Sequence, residues 1–490
     1  MSASFTPLFI DGQERPARSG ATFEVRNPYT NEVVGRAAAA SSEDCRNAVA
    51  AASRAFAAWE QTPAFVRAGI FLKAAELLDT PEYQEKHRAA IKAELASSES
   101  VAFGDLLGTV ATIRDSASVV ANLKGENSPS QILGGYVVVQ RRAMGVIFAI
   151  SPWNFPLALS FRAIIVPILC GNTVVLKSSE VTPRTQALAV EALHKAGLPA
   201  GVLNLVSTDK SEAPARVAEI IANPSVRKIN FTGGPRVGRA VAVKAAEYLK
   251  PCVLELGGKA AVVVLEDADL ETAANAIAYG ALLNSGQVCM STERVIVQKG
   301  VAAELAHAIK TRFSELTAGG PGHRLGPLFS EASAEHVVTL LRDAQAAGAD
   351  FLVGDAKREG AVVQPHIVTK VTRDMKLWND ETFGPVIAFV EVDSVEEAIE
   401  KANDTEYTLM ATLWTQNVHT AFQVASRLRT GTININGGSI NSDGRLGGLG
   451  SRDTDVGCSG PSGYGRFSVE EFTDTRNLVF HPAKSPAHPL

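Results

Sequence analysis

Gly145-Val146-Ile147-Phe148-Ala149-Ile150 is an unbroken apolar run that leads directly into Ser151-Pro152-Trp153-Asn154-Phe155-Pro156. A short bounded run of this kind reads as a buried strand. The two prolines after it bar helix across the segment and make it rigid. The same grammar returns downstream. Thr173-Val174-Val175-Leu176-Lys177 is a second β-branched run, closing on Ser178-Ser179-Glu180. Ile229-Asn230-Phe231-Thr232 enters Gly233-Gly234-Pro235-Arg236-Val237-Gly238, then a helical stretch from Arg236 to Lys250. From Val146 to Phe231 strands alternate with helices, which predicts βαβ units on a parallel sheet.

Open α/β sheets bind ligands beyond the carboxyl ends of their strands. Asn154 stands at such an end and could aim its amide at a developing oxyanion; a structural Asn in a turn is the plainer alternative. Lys177 and Glu180 could hold a ribose by its two hydroxyls, and the carboxylate would repel a 2′-phosphate; otherwise they are a surface charge pair. Thr232-Gly233-Gly234 opens a helix with bare amides, a seat for a pyrophosphate, although it is not a GxGxxG fingerprint.

A second α/β region runs from Val253 to about Asn434, with strands at Ala261 to Leu265 and Arg294 to Gln298. Two reactive side chains fall in its loops. Cys289 follows Asn284-Ser285-Gly286-Gln287-Val288, and Glu255 sits in Leu254-Glu255-Leu256-Gly257-Gly258-Lys259. A thiol is a soft nucleophile for a carbonyl carbon, and a carboxylate can activate the water that later releases an acyl group. Taken singly, a Cys is more often a small buried hydrophobe and a Glu a solvated surface group.

Upstream, Phe9-Ile10-Asp11-Gly12-Gln13 signals a hairpin, and Glu43 to Trp59 and Ala64 to Leu78 read as helices. Tyr136 to Arg142 and Arg476 to His481 read as exposed strands, whose edges are normally covered. Gly437 to Gly465 is rich in Gly and charge, which predicts a flexible loop.

At 490 residues the chain exceeds one core, so two or three domains are expected. It is 46% hydrophobic and carries a net charge of −5, which argues against nucleic-acid or anionic-membrane partners. No apolar run is long enough for a membrane span, and no signal sequence opens the chain. The cysteines (45, 170, 252, 289 and 458) have no metal-ligand spacing, so no metal is expected, and reduced thiols suit the cytoplasm.

From roughly Phe9 to Phe480 these motifs, in this order, resemble the NAD(P)-dependent aldehyde dehydrogenase superfamily. The resemblance implies a Rossmann-like cofactor domain (1–121 and 143–252), an α/β catalytic domain (253–436) and a small β arm for oligomerisation (122–142 and 470–490). It implies a homodimer or homotetramer. It makes Cys289 the nucleophile, Glu255 the base, and Asn154 with the Cys289 amide the oxyanion hole. For the cofactor, NAD in preference to NADP, it points to Ile150, Ser151, Trp153, Lys177 and Glu180. Thr232, Gly233, Gly234, Gly238 and Leu256 continue that surface, and Glu381 and Phe383 of Glu381-Thr382-Phe383-Gly384-Pro385 meet its nicotinamide side. Gly234 replaces the usual Ser, which removes a hydroxyl donor. Phe155, Leu159, Arg162 and Leu283 would line a channel for a small-molecule aldehyde. Segment 437–469 departs from the family: Val456-Gly457-Cys458 stands in place of Pro-Phe-Gly-Gly, with residues inserted at the channel mouth.

Met144 to Glu180 together with Cys289-Met290-Ser291-Thr292-Glu293-Arg294 look most similar to salicylaldehyde, benzaldehyde and vanillin dehydrogenases. Arg162 could then pair with a phenolate or carboxylate on the substrate, or else turn outward into a contact. A semialdehyde dehydrogenase, or an idle member serving as a binding or scaffold subunit, are the other readings.

Overall fold

The computed structural model describes residues 4–440 and 460–482. Its centre is an eight-stranded sheet. Five of its strands are parallel: Val146–Ile150, Thr173–Lys177, Leu203–Val206, Val226–Thr232 and Cys252–Glu255. Helices Pro156–Leu169, Pro183–Lys195, Ala213–Ala222 and Pro235–Glu247 connect them in turn. The opening run explains why this sheet forms. Ile147 and Ala149 enter one core with Val174 and Leu176, while Val146, Phe148 and Ile150 enter another with Ile229 and Phe231. Alternate side chains thus bury on opposite faces, which is what an all-apolar strand requires.

The strand order places Val146–Ile150 between Thr173–Lys177 and Val226–Thr232. The connection runs one way to the first neighbour and the other way to the second. Beyond Ile150 and its register partner Phe231 lies the crevice where such sheets bind ligands. Ser151 to Asn154, Lys177, Thr232 to Gly234 and Glu255 all occupy this carboxyl edge.

A seven-stranded sheet holds Thr292–Gln298 between Ala260–Val264 and Val386–Val392, all parallel. Only Leu256 to Lys259 separate the end of the first sheet at Glu255 from the start of the second at Ala260. The carboxyl edge of one sheet is therefore joined to the amino edge of the other, and the loops leading to Thr292 and Val386 converge on that joint. A three-stranded antiparallel sheet of Glu126–Pro129, Tyr136–Ala143 and Thr473–Phe480 stands apart.

The α/β architecture read from the sequence is the one observed, with ends moved by a few residues: Ala260–Val264 and Thr292–Gln298 start earlier than expected, and the helix from Pro235 ends at Glu247. The hairpin at Leu8–Ile10 and Gln13–Arg15 forms with Asp11 and Gly12 both at positive φ, 56° and 76°. Its two strands extend the first sheet.

The expectation of a loop through Gly465 needs correction. Gly463–Tyr464 pairs with Leu254 and Glu255 as a further strand, and Phe467 and Val469 enter the core. The backbone of Cys252–Glu255 otherwise lacked a partner on that edge, and the glycine pattern concealed the pairing. Residues 441–459, including Cys458 and most of the segment expected to carry the insertion, and the last residues of the expected arm lie outside the described residues. Among the described residues no helix is long and apolar enough to cross a membrane, and no cluster of metal-ligating side chains occurs.

Candidate active site

Cys289 and Glu255 meet at the joint between the sheets. The Cys289 thiol donates to Glu255 Oε1 at 3.0 Å. Glu255 is fixed because its strand pairs on both sides, with Thr232 and with Gly463. Cys289 is fixed by an unusual turn: Asn284, Ser285 and Gly286 have φ of 50°, 55° and 76° in succession. Left-handed backbone at two non-glycine residues costs on the order of 1–3 kcal/mol each, so the surroundings must hold it. Asn284 Nδ2 donates to Asn154 O at 3.0 Å, and Ser285 Oγ to Gly326 O at 2.6 Å. Gln287 spans the loop, donating to Asn284 O (2.9 Å) and accepting from Phe329 N (2.8 Å). Two glycines permit the close packing. A Cβ on Gly258 would sit 2.1 Å from Cys289 O, and one on Gly286 would sit 2.1 Å from Gly384 O.

Asn154 is buried beside this turn and donates from Nδ2 to Gln287 O at 3.0 Å. An amide nitrogen carries two hydrogens, and this bond occupies one of them.

Arg162 has a neighbour that the sequence did not disclose. Its guanidinium forms an ion pair with Glu255, donates to Thr232 Oγ1 at 2.9 Å and lies 4.6 Å over the Phe467 ring. The side chain is 6% exposed, and its Nε has no hydrogen-bond partner among the described residues. It is neither a free cation on a channel wall nor a residue turned outward, because burial beside a carboxylate gives the charge its partner inside. Burial pushes the Cys289 thiol up to about 11; Arg162 acts against that rise and Glu381 adds to it.

The cofactor-side candidates gather on the crevice. Ile150 is in register with both Phe231 and Lys177, and Ser151 N donates to Lys177 O at 3.3 Å. Lys177 is buried, donates from Nζ to its neighbour Ser178 O at 2.9 Å, and has its ammonium pKa lowered by burial against the opposing charge of Glu180. Gly233 N donates to Glu255 O, and Gly234 N-caps the Pro235–Glu247 helix with no side-chain cap, so that helix end offers backbone amides. Gly238 packs against Leu256. Trp153 stacks on Phe329 at 4.1 Å and meets Phe383 edge-on at 5.9 Å. Glu381 Oε1 accepts from Gly258 N at 2.9 Å, and burial, with the Glu293 charge, pushes this carboxyl up to about 8.

Of the channel candidates, Phe155 precedes the Pro156–Leu169 helix and Leu159 is buried within it, while Leu283 follows the Leu270–Leu282 helix into the Cys289 turn. Sequence reasoning missed Phe329, Phe467, Lys259 and Glu293. The last two stood inside quoted motifs, and only the fold shows that they face each other.

Residues 15–478 match the Aldehyde dehydrogenase family. The chain belongs to the aldehyde dehydrogenase family. It is 39% identical to a vanillin dehydrogenase from Pseudomonas sp. (strain HR199 / DSM 7063), over 98% of each chain. A solved salicylaldehyde dehydrogenase from Pseudomonas putida G7, complexed with salicylaldehyde, superimposes with TM-score 0.93 at 33% identity, covering 99% of this chain and all of that one (100%). An NADP-dependent glyceraldehyde-3-phosphate dehydrogenase from Bacillus halodurans C-125, complexed with NADP, does so with TM-score 0.88 at 31% identity, covering 97% and 99%. This aldehyde dehydrogenase oxidises aldehydes, and its family uses NAD or NADP.

Proposed function

We propose that this aldehyde dehydrogenase oxidises an aromatic aldehyde bearing a polar ring substituent to the carboxylic acid, with NAD as acceptor. The observation that carries the reading is the buried group of Cys289, Glu255 and Arg162 at the sheet joint. The Cys289 proton passes to Glu255, 3.0 Å away, and the thiolate attacks the carbonyl carbon to give a thiohemiacetal. The second Asn154 amide hydrogen and the Cys289 N–H are the donors for its oxyanion. A bound nicotinamide dinucleotide supplies the hydride acceptor that turns this adduct into a thioester. Glu255 releases the proton it took from Cys289 to solvent and, ionised again, takes a proton from water; the hydroxide attacks the thioester carbon, and the acid leaves as the thiolate re-forms.

The residues present fit such a dinucleotide. The uncapped helix start at Gly234 suits its pyrophosphate, the buried Lys177 amine with Glu180 suits a ribose bearing a free 2′-hydroxyl, and Glu381 with Phe383 suits the nicotinamide half. The preference for an aromatic substrate draws on the vanillin and salicylaldehyde relatives. The β arm joins subunits into a homodimer or homotetramer, and the two large sheets correspond to a cofactor and a catalytic domain. The described cysteines are free thiols, as suits the cytoplasm.

The test is NADH or NADPH formation across benzaldehyde, hydroxybenzaldehydes, vanillin, succinic semialdehyde and a long alkanal. Hydroxylated aromatic aldehydes with NAD should give the highest kcat/KM, and Cys289→Ser should abolish turnover while still binding NAD. A preference for succinic semialdehyde or alkanals would discard the aromatic reading, and equal kcat/KM with NADP would discard the role of Glu180.

A further inference from the structure

Behind the site, a second buried ion pair has no part in the chemistry above. Lys259 and Glu293 are 2% and 3% exposed and are bonded to each other. Lys259 Nζ also donates to Thr382 Oγ1 at 3.0 Å. Glu293 accepts the backbone N–H of Thr382 on both oxygens, at 3.0 and 2.9 Å, and that of Phe383 on Oε1 at 3.3 Å. One carboxylate thus holds the lysine and two consecutive amides. The turn it grips has Phe383 at φ 49°, left-handed backbone that a bulky residue rarely adopts unaided. On the other side of the turn, Glu381 is held by Gly258 N, the residue before Lys259. Segments 258–259, 293 and 381–383 therefore close a ring of polar contacts.

We propose that Lys259 and Glu293 are positioning residues for the nicotinamide half of the cofactor, acting by locking the Glu381–Gly384 turn. A buried ion pair by itself is weak evidence of stability, since apolar residues often replace one without loss. Here the charge has a further task. An ionised carboxylate is the group able to take several N–H donors at once, and without it the Thr382 and Phe383 amides would be buried and unpaired. The Phe383 ring would then be free to leave its contact with Trp153, and Glu381 to leave Gly258. The inference rests on reading Glu381 and Phe383 as cofactor contacts.

Glu293→Gln keeps the size and one accepting oxygen but loses the charge. NAD affinity is read by tryptophan fluorescence quenching, to which Trp153 contributes, together with KM for NAD, kcat, and the isotope effect on kcat with aldehyde deuterated at the carbonyl carbon. The expected result is an NAD dissociation constant raised roughly ten-fold or more, as for loss of charge-assisted hydrogen bonds, and a larger isotope effect. Alkylation of Cys289 by iodoacetamide without NAD should be unchanged, and Glu293→Asp should recover part of the affinity. Glu381→Gln separates the two claims. Loss of NAD affinity in Glu381→Gln with none in Glu293→Gln would overturn the positioning role, whereas no effect of Glu381→Gln would overturn the cofactor reading beneath it. Should Glu293→Gln not fold, Thr382→Val removes only the Lys259 acceptor; a several-fold weaker NAD affinity supports the lock, and unchanged affinity rejects it.

Discussion

Arg162 decides how the reactive residues behave. Its guanidinium both holds Glu255 and favours the Cys289 thiolate, while burial holds that thiol near 11. Removing the cation must move the thiol pKa upward, since only the ionised form gains from a nearby positive charge. Arg162→Leu is therefore expected to slow iodoacetamide alkylation of Cys289 at pH 9, and to lower kcat roughly ten-fold for benzaldehyde and hydroxybenzaldehydes alike. Arg162→Lys should restore part of the rate, with the charge but not the planar fork. A loss confined to hydroxybenzaldehydes would instead assign Arg162 to the substrate ring, and stopped-flow NADH traces with both substrates make the distinction. Cys289 and Glu255 were legible through the motifs around them, a Gly-Gln turn before the thiol and a Gly-Gly pair after the carboxylate, taken in order with the other motifs; singly neither stood out. The Arg162–Glu255 pair was not, because contacts between distant strands and helices leave no local period.

At the scale of elements, the Pro156–Leu169 helix, which carries Leu159 and Arg162, is buried along its whole length and lacks a local cap: Phe155 at its N-terminus offers no side-chain acceptor. Asp105, from the Glu99–Ser116 helix, supplies it, accepting from Leu157 N at 3.2 Å and Ala158 N at 3.0 Å. His87 Nε2 lies 2.8 Å from the same carboxylate. Asp105→Ala leaves two amides and the imidazole without their partner, so about 3 kcal/mol or more of stability should be lost. Calorimetry should show a lower Tm, and an unchanged Tm would refute the cap. The strands were readable because two-sided burial writes unbroken apolar runs such as Val146–Ile150. The cap was not, because its carboxylate lies in another helix, and neither was the Gly463–Tyr464 strand, which at two residues is too short to write an alternating pattern and pairs on the open edge of the Glu255 strand.

Across the whole molecule, the arm of Tyr136–Ala143 and Thr473–Phe480 leaves Tyr136, Val479 and Phe480 exposed, with Tyr136 and Phe480 stacked at 4.6 Å. If the arm joins subunits, charges placed there should separate them. Tyr136→Asp with Phe480→Asp is expected to lower the mass seen by light scattering to that of one chain, and an unaltered assembly would place the interface elsewhere. The sequence marked these strands as exposed, and one chain by itself does not say what would cover them. The central sheet has one edge made of Leu8–Arg15 and the other of Gly463–Tyr464, so it is fastened by segments more than 440 residues apart in sequence. A ribosome must therefore pass residue 464, more than 200 residues beyond Glu255, before the strand ending in Glu255 acquires its last neighbour. Incomplete translation products would carry the nucleophile without a finished framework around its base. Such fragments should be open to proteases, so premature termination would yield degraded chains and no half-working enzyme.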